Sequence, residues 1–163
     1  MSGAALSSEV KAIYGQTERV CAFVAEQPGY DRSLIFGECQ AIGFEIDNSL
    51  VAGAVFQNYD PQAATMEISA AATDPRWMTR KSLQAIFGYV FSDAGCQLCI
   101  LRVSARNVRM RSIAARLGFT EYLIPRLFGR DTGGAIFTLT AEQWAESRIR
   151  SSRVGQAESA KAA

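Results

Sequence analysis

The chain has 163 residues, 48% of them apolar and 20% charged, with a formal net charge of +1. That is the size of one domain able to bury roughly 70% of its unfolded surface, and it excludes disordered, collagenous and coiled-coil classes and a nucleic-acid binder driven by bulk charge. The sequence has no histidine, which removes Ser-His and Cys-His catalysis, His-ligated metals and a histidine pH switch together.

Met1 to Val10 has neither the basic nor the apolar part of a signal peptide. No apolar run approaches the ~20 residues needed to span a membrane, so a cytoplasmic protein is expected. Thr17 to Gln27 reads as a helix with Val20, Phe23 and Val24 on one face, stopped by Pro28-Gly29. A loop, Tyr30 to Gly37, follows. Cys39 to Ile46 reads as a strand, Asp47-Asn48-Ser49 as a turn, and Leu50 to Gln57 as the hairpin partner. Asn58 to Gln62 is a second turn and Thr65 to Ala72 a third strand, which completes an antiparallel meander. The period then changes. Thr79 caps a helix to about Ala94, with Leu83, Ile86, Phe87, Val90 and Phe91 at helical spacing, ended by Gly95. Gln97 to Ala105 is a strand apolar enough to be buried on both faces. Asn107 caps a helix whose inner face is Met110, Ile113, Ala114 and Leu117, with Gly118 at the left-handed position beyond its end. Phe119 to Ile124 and Ala135 to Leu139 are two more strands. Thr140 and Gln143 have capping-box spacing for a last helix through Arg150. Residues 1–150 therefore form a single domain, and the small polar stretch 151–163 reads as a disordered tail.

The segment 65–105 is strand, helix, strand, so its two strands run parallel with a right-handed crossover. A meander joined to such a βαβ unit makes an α+β, three-layer domain with a mixed sheet. The four cysteines, Cys21, Cys39, Cys96 and Cys99, form no secreted disulfide framework. Cys96 and Cys99 have C-x-x-C spacing but no second pair to complete a zinc site, so they read as buried reduced thiols, with a redox or zinc role built on the pair as the alternative, and no metal is expected.

Ligands of such sheets bind beyond the carboxyl ends of the parallel strands. Here that edge is the loop Thr73 to Thr79 together with Arg106-Asn107. Arg76, Arg80 and Lys81 crowd a helix N-terminus, where cations are disfavoured unless an anion joins them; this suits a phosphate ligand. Arg80 and Lys81 read equally well as a solvated face. Five arginines (102, 106, 109, 111 and 116) fall within fifteen residues, and Arg109 and Arg116 share a helix face. Arg126 and Arg130 follow in the next loop. These suit an acidic or phosphate-bearing acceptor, or nucleic acid as a minor alternative, or simply a solvated helix.

Asn107, with Leu117-Gly118-Phe119 after a strand-helix-strand unit and the late Trp144 after Thr140-Ala-Glu-Gln143, resembles the GNAT-type N-acetyltransferases over roughly residues 38–146. Trp77-Met-Thr-Arg80 and Phe87-Gly-Tyr89-Val-Phe91 resemble a phage and bacterial branch near the ribosomal-protein N-terminal acetyltransferases. The resemblance implies a GNAT-like sheet with a splayed parallel pair that takes acetyl-CoA between strands 65–72 and 97–105. It implies that main chain from Ala70 through Ala71 and Ala72 to Thr73 bonds the pantetheine arm. N–H groups from Met78, Thr79, Arg80, Lys81 and Ser82 to Leu83 would hold the pyrophosphate, with Arg76, Arg80 or Lys81 on the ADP phosphates. Asn107 would contact pantetheine or orient the thioester. The activity implied is acetyl transfer to a primary amine (a protein N-terminus, a lysine or a small molecule) in a ternary complex. Glu67 is the candidate base, with Glu45 and Glu38 behind it, and Tyr122 a candidate acid. Glu67 also reads as a solvated strand residue, Tyr122 as a packed aromatic, and Trp77 as either a cofactor cover or a packed side chain. Two departures stand out. The phosphate loop, Arg76 to Lys81, lacks both glycines of the family pattern, and Ala114 stands where many members carry a tyrosine. These departures favour the alternative of a catalytically inactive binding module using the arginine-rich surface. A homodimer stays open.

Overall fold

The computed structural model describes residues 9–27 and 37–147. The loop expected at 30–37 up to residue 36, the last helix beyond residue 147, and the tail at 151–163 lie outside the described residues. The elements in order are β1 (Lys11–Ile13), α1 (Thr17–Glu26), β2 (Gln40–Ile46), β3 (Ser49–Asp60), β4 (Thr65–Ala72), α2 (Arg80–Gly88), β5 (Leu98–Ser104), α3 (Val108–Arg116), β6 (Thr120–Ile124), β7 (Gly134–Thr140) and α4 (Ala141–Glu146). A 3₁₀ turn, Pro75–Trp77, precedes α2, and a π-helical turn, Tyr89–Asp93, follows it. The seven strands form one sheet in the order β1-β2-β3-β4-β5-β7-β6. Every neighbouring pair is antiparallel except β4 and β5.

The expected α+β mixed sheet, a meander plus a βαβ unit, is the one observed. Asp47 and Asn48 both have positive φ (50° and 64°), the pair of left-handed residues that a two-residue hairpin needs. Gly118 has φ 95° at the end of α3, and Thr140 and Gln143 make both bonds of the capping box. Three details differ. β1 was not expected, because three residues are too few to show alternation. β3 runs on to Asp60, past the turn expected at Asn58, through an irregularity in register between Gln57 and Asp60 with Asn58 at φ 52°. The helix expected to reach Ala94 is α-helical only to Gly88, then widens so that the Ala94 N–H donates to the Tyr89 carbonyl.

α1 covers one face of the sheet, with Val20 and Val24 against Ala41 and Val55. α2, α3 and α4 cover the other, over a core that includes Phe44, Phe56, Phe87, Val90, Leu101, Phe137 and Trp144. Trp77 is buried against Phe44, ring centroids 5.2 Å apart, so it packs on the sheet. Tyr89 lies 4.5 Å from Phe56. Cys96 and Cys99 are buried, and burial pushes both thiols up. No helix among the described residues is long and apolar enough to cross a membrane.

Candidate functional site

The parallel pairing of β4 and β5 spans only Thr65 with Leu98, Met66 with Cys99, and Glu67 with Ile100. Beyond it β4 stays with β3 as far as Ala72, and β5 stays with β7 as far as Ser104. Each strand is held by its outer neighbour, so the two halves of the sheet part and leave a wedge at their carboxyl ends. The residues that border the wedge on β4 are small, Ser69-Ala70-Ala71-Ala72, and they leave room there that larger side chains would fill.

Two hollows meet at the wedge. One, of about 470 Å³, runs from Ala70–Asp74 beneath the start of α2 and along α3. Its wall is largely apolar (Ile68, Leu83, Phe87, Leu101, Met110, Ile113, Leu117) with Asn107, Arg109 and Arg116. The inner face expected for α3 therefore serves the hollow: of its four residues only Ala114 is fully buried, while Met110, Ile113 and Leu117 are left half-buried. The other, of about 580 Å³, lies beside β5 and is bounded by Arg102, Ser104, Arg106, Phe128 and Thr132. Ile68, Ala70, Leu101, Asn107 and Met110 line both.

The turn before α2 is closed upon itself. The Thr79 hydroxyl accepts from the Ser82 N–H at 3.1 Å, and the buried Ser82 hydroxyl donates to the Trp77 carbonyl at 2.7 Å. Met78 N–H donates to the Pro75 carbonyl, Thr79 N–H to that of Trp77, and Leu83 N–H to that of Thr79. Among the six amides from Met78 to Leu83, those of Arg80 and Lys81 find no acceptor in the described residues. Arg76 is turned onto Asp74, its guanidinium 2.7 Å from the carboxylate. That contact holds the Asp74 carboxyl below its ordinary range and raises Arg76. Lys81 stands 3.9 Å from Glu9, both well exposed.

Of the residues singled out from sequence, Ala71, Ala72, Thr73, Met78 and Asn107 line the first hollow. Thr79 and Ser82 build the turn beside it, with Arg80 and Lys81 opening α2. Asn107 has a second task, for its Oδ1 accepts from the Met110 N–H at 3.1 Å and caps α3. Glu67 sits at the vertex of the wedge, one residue before Ile68, accepts from Asn58 Nδ2 at 2.9 Å and itself lines neither hollow. Tyr122 is not brought to the site. It lies on β6, separated from β5 by β7, is 54% exposed and lines neither hollow. Arg126 and Arg130 also line neither, whereas Phe128 and Thr132 of the same loop do. The shared face of Arg109 and Arg116 borders the hollow under α2 and α3. Their seven-residue spacing carried that signal, but not which side of the wedge the face would meet.

No family model and no curated protein matches the sequence. Solved structures do match. The chain is similar to the spermidine/spermine N-acetyltransferase SpeG of Vibrio cholerae, with 11% identity over 83% of this chain and 97% of that one, TM-score 0.68. It is similar to RimJ of Mycobacterium smegmatis in complex with CoA-disulfide, with 20% identity over 73% of this chain and 61% of that one, TM-score 0.59. A third structure, described as an acetyltransferase, matches at 17% identity, TM-score 0.58, over 66% of this chain and 63% of its own length. The chain thus spans about three-fifths of two of these relatives. At such identities the likeness shows the fold, which is that of the GNAT acetyltransferases.

Proposed function

We propose that this chain is an acetyl-CoA-dependent N-acetyltransferase that moves an acetyl group to a primary amine by direct transfer in a ternary complex. The observation that carries the reading is the early end of β4–β5 pairing at Glu67 and Ile100, with two hollows meeting at the opening. A thioester held in one and an amine held in the other would meet at Asn107 and Met110. The shared fold and the CoA-disulfide bound to the RimJ relative support it.

The residues present fit acetyl-CoA. The apolar wall under α3 and the small side chains of Ala70 to Ala72 suit a pantetheine arm. The amides of Arg80 and Lys81, together with the Arg80, Arg109 and Arg116 side chains, suit its phosphates. Acetyl-CoA supplies the acyl group as a thioester, which a free amine attacks directly once both are held in place. The protein's tasks are placement and removal of a proton from the amine, whose ordinary pKa for a lysine is ~10.4. Glu67, at the vertex, is the group we assign to that proton, directly or through a water. Tyr122 is given no part.

One observation favours the alternative of an inactive module with the same fold: no tyrosine lines either hollow among the described residues, and Ala114 fills the position where many relatives have one. Calorimetric titration with acetyl-CoA, with CoA and ATP as controls, comes first. Micromolar binding that ATP does not match supports the cofactor cleft, and thiol release in the presence of amines then separates enzyme from module. No binding up to millimolar acetyl-CoA overturns the proposal.

A further inference from the structure

We infer that the acceptor is a small primary amine that itself carries an anionic group, a carboxylate or a phosphate. The inference rests on the transferase reading above and concerns the second hollow, beside β5.

The wall of that hollow holds two guanidinium groups, those of Arg102 and Arg106, and no carboxylate. Arg102 is unusual where it stands. It interrupts the otherwise apolar run Leu98 to Val103 in the strand that forms one side of the wedge. Its guanidinium lies 6.0 Å from the centre of the Phe128 ring, which supports a cation from the loop side without neutralising it. Arg19, Arg76 and Arg111 each meet a carboxylate, from Glu45, Asp74 and Glu121. Arg102 and Arg106 are both exposed, and like Arg80, Arg109, Arg116, Arg126 and Arg130 neither forms an ion pair with a described residue; what sets these two apart is that they share one wall with no carboxylate on it. Asp131, next to Thr132 in the same loop, is not part of the wall.

Two cations without counter-charges in a concave wall attract an anion and repel a second ammonium. A polyamine, which is the substrate named for the SpeG relative, would bring extra positive charge against them. An amine with a carboxylate or phosphate would instead reach planar donors that hold such groups in pairs of bonds.

The test is acetyl-CoA-dependent thiol release by the full chain with matched amines: phosphoethanolamine against ethanolamine, 4-aminobutyrate against its amide, and spermidine. At least one anionic member should exceed its neutral twin by tenfold or more in kcat/KM, and spermidine should be the poorest. Which pair shows the preference tells phosphate from carboxylate. Arg102→Ala and Arg106→Ala should collapse that ratio toward one, chiefly through KM for the amine, and Arg102→Lys should restore part of it. Acetyl-CoA binding, measured separately, should persist in these variants. If acetyl-CoA binds and neutral amines or spermidine are the better acceptors, this inference falls while the transferase reading stands. If acetyl-CoA does not bind, the transferase reading falls first and takes the inference with it. If acetyl-CoA binds and no amine turns over, titration of the same pairs into CoA-loaded protein decides: selective binding of the anionic twin, lost in Arg102→Ala, supports the inference, and its absence overturns it.

Discussion

Asn107 is given two tasks, and they can be separated. Its Oδ1 caps α3 by accepting from Met110 N–H at 3.1 Å, and its side chain lines both hollows. Its Nδ2 has no acceptor among the described residues and is the donor free for a ligand. Replacing Asn107 with alanine removes both the cap and the donor. Loss of such a cap costs about 1 kcal/mol, which in a chain of this size lowers the melting temperature by roughly 2–4 °C. Loss of one neutral hydrogen bond to acetyl-CoA costs about 0.5–1.5 kcal/mol, a weakening of roughly twofold to tenfold. Asn107→Ser keeps an oxygen able to cap, since serine and asparagine cap about equally well, but cannot present the amide. Thermal melts and acetyl-CoA calorimetry on both variants should show alanine losing stability and affinity, and serine losing affinity alone. A serine variant that binds acetyl-CoA as tightly as the parent would remove Asn107 from the cofactor contacts. An alanine variant that melts with the parent would refute the cap as a source of stability.

Gly43 and Gly53 face each other across β2 and β3 under α1, and a Cβ on Gly53 would stand 2.7 Å from Val20 Cγ1 and 3.0 Å from Val24 Cγ2. Both valines are fully buried, so Gly53→Ala should cost about 1–3 kcal/mol, seen as a lower urea midpoint; an unchanged midpoint would mean that α1 is free to lift. Burial, aided by Cys39 with its Sγ 3.5 Å away, pushes the Cys21 thiol up to about 12. At pH 8 its reactive thiolate is then on the order of 1 in 10,000, so iodoacetamide should modify Cys21 in native protein at least a hundredfold more slowly than in urea; peptide mapping that finds comparable rates would contradict the burial. Arg109→Ala and Arg116→Ala should each weaken acetyl-CoA roughly tenfold and leave acetyl-pantetheine, which lacks the ADP phosphates, unaffected. Equal losses for both ligands would place these arginines elsewhere than on the phosphates.

Much of this molecule was legible because its signals are local. The hairpin at Asp47-Asn48, the Thr79 and Asn107 caps, the end of α3 at Gly118 and the Thr140 capping box each depend on residues within a turn of one another, and each stands where the pattern put it. The extension of β3 to Asp60 was hidden, because Asn58, Asp60 and Pro61 are turn residues in isolation and only pairing with β4 keeps the strand going. The site divides in the same way. Thr73 and Asn107 follow from the βαβ unit, and Ala71 and Ala72 from the resemblance to the GNAT acetyltransferases. The orientation of Arg109 and Arg116 depends on how α3 rolls against the sheet, and the remoteness of Tyr122 depends on β7 inserting between β5 and β6. Neither is a local property.

The turn before α2 shows what replaces the absent glycines. A glycine-rich turn leaves backbone N–H groups exposed and lets a pyrophosphate approach them closely. Here the Met78, Thr79, Ser82 and Leu83 amides are bonded within the turn, leaving those of Arg80 and Lys81, and Trp77 is locked into the core beside them. The turn is thereby rigid without a ligand, at the expense of most of its anion-binding capacity. On the transferase reading, charge for the phosphates then has to come from side chains: Arg80 at the head of α2, and Arg109 and Arg116 on the wall of the hollow along α3. Arginines on a neighbouring helix can grip phosphates only if that helix is fixed relative to the sheet. The cap at Asn107 and the 2.7 Å ion pair from Arg111 to Glu121 of β6 supply that fixing. On that reading α3 serves binding along its whole length, and not only at its first residue.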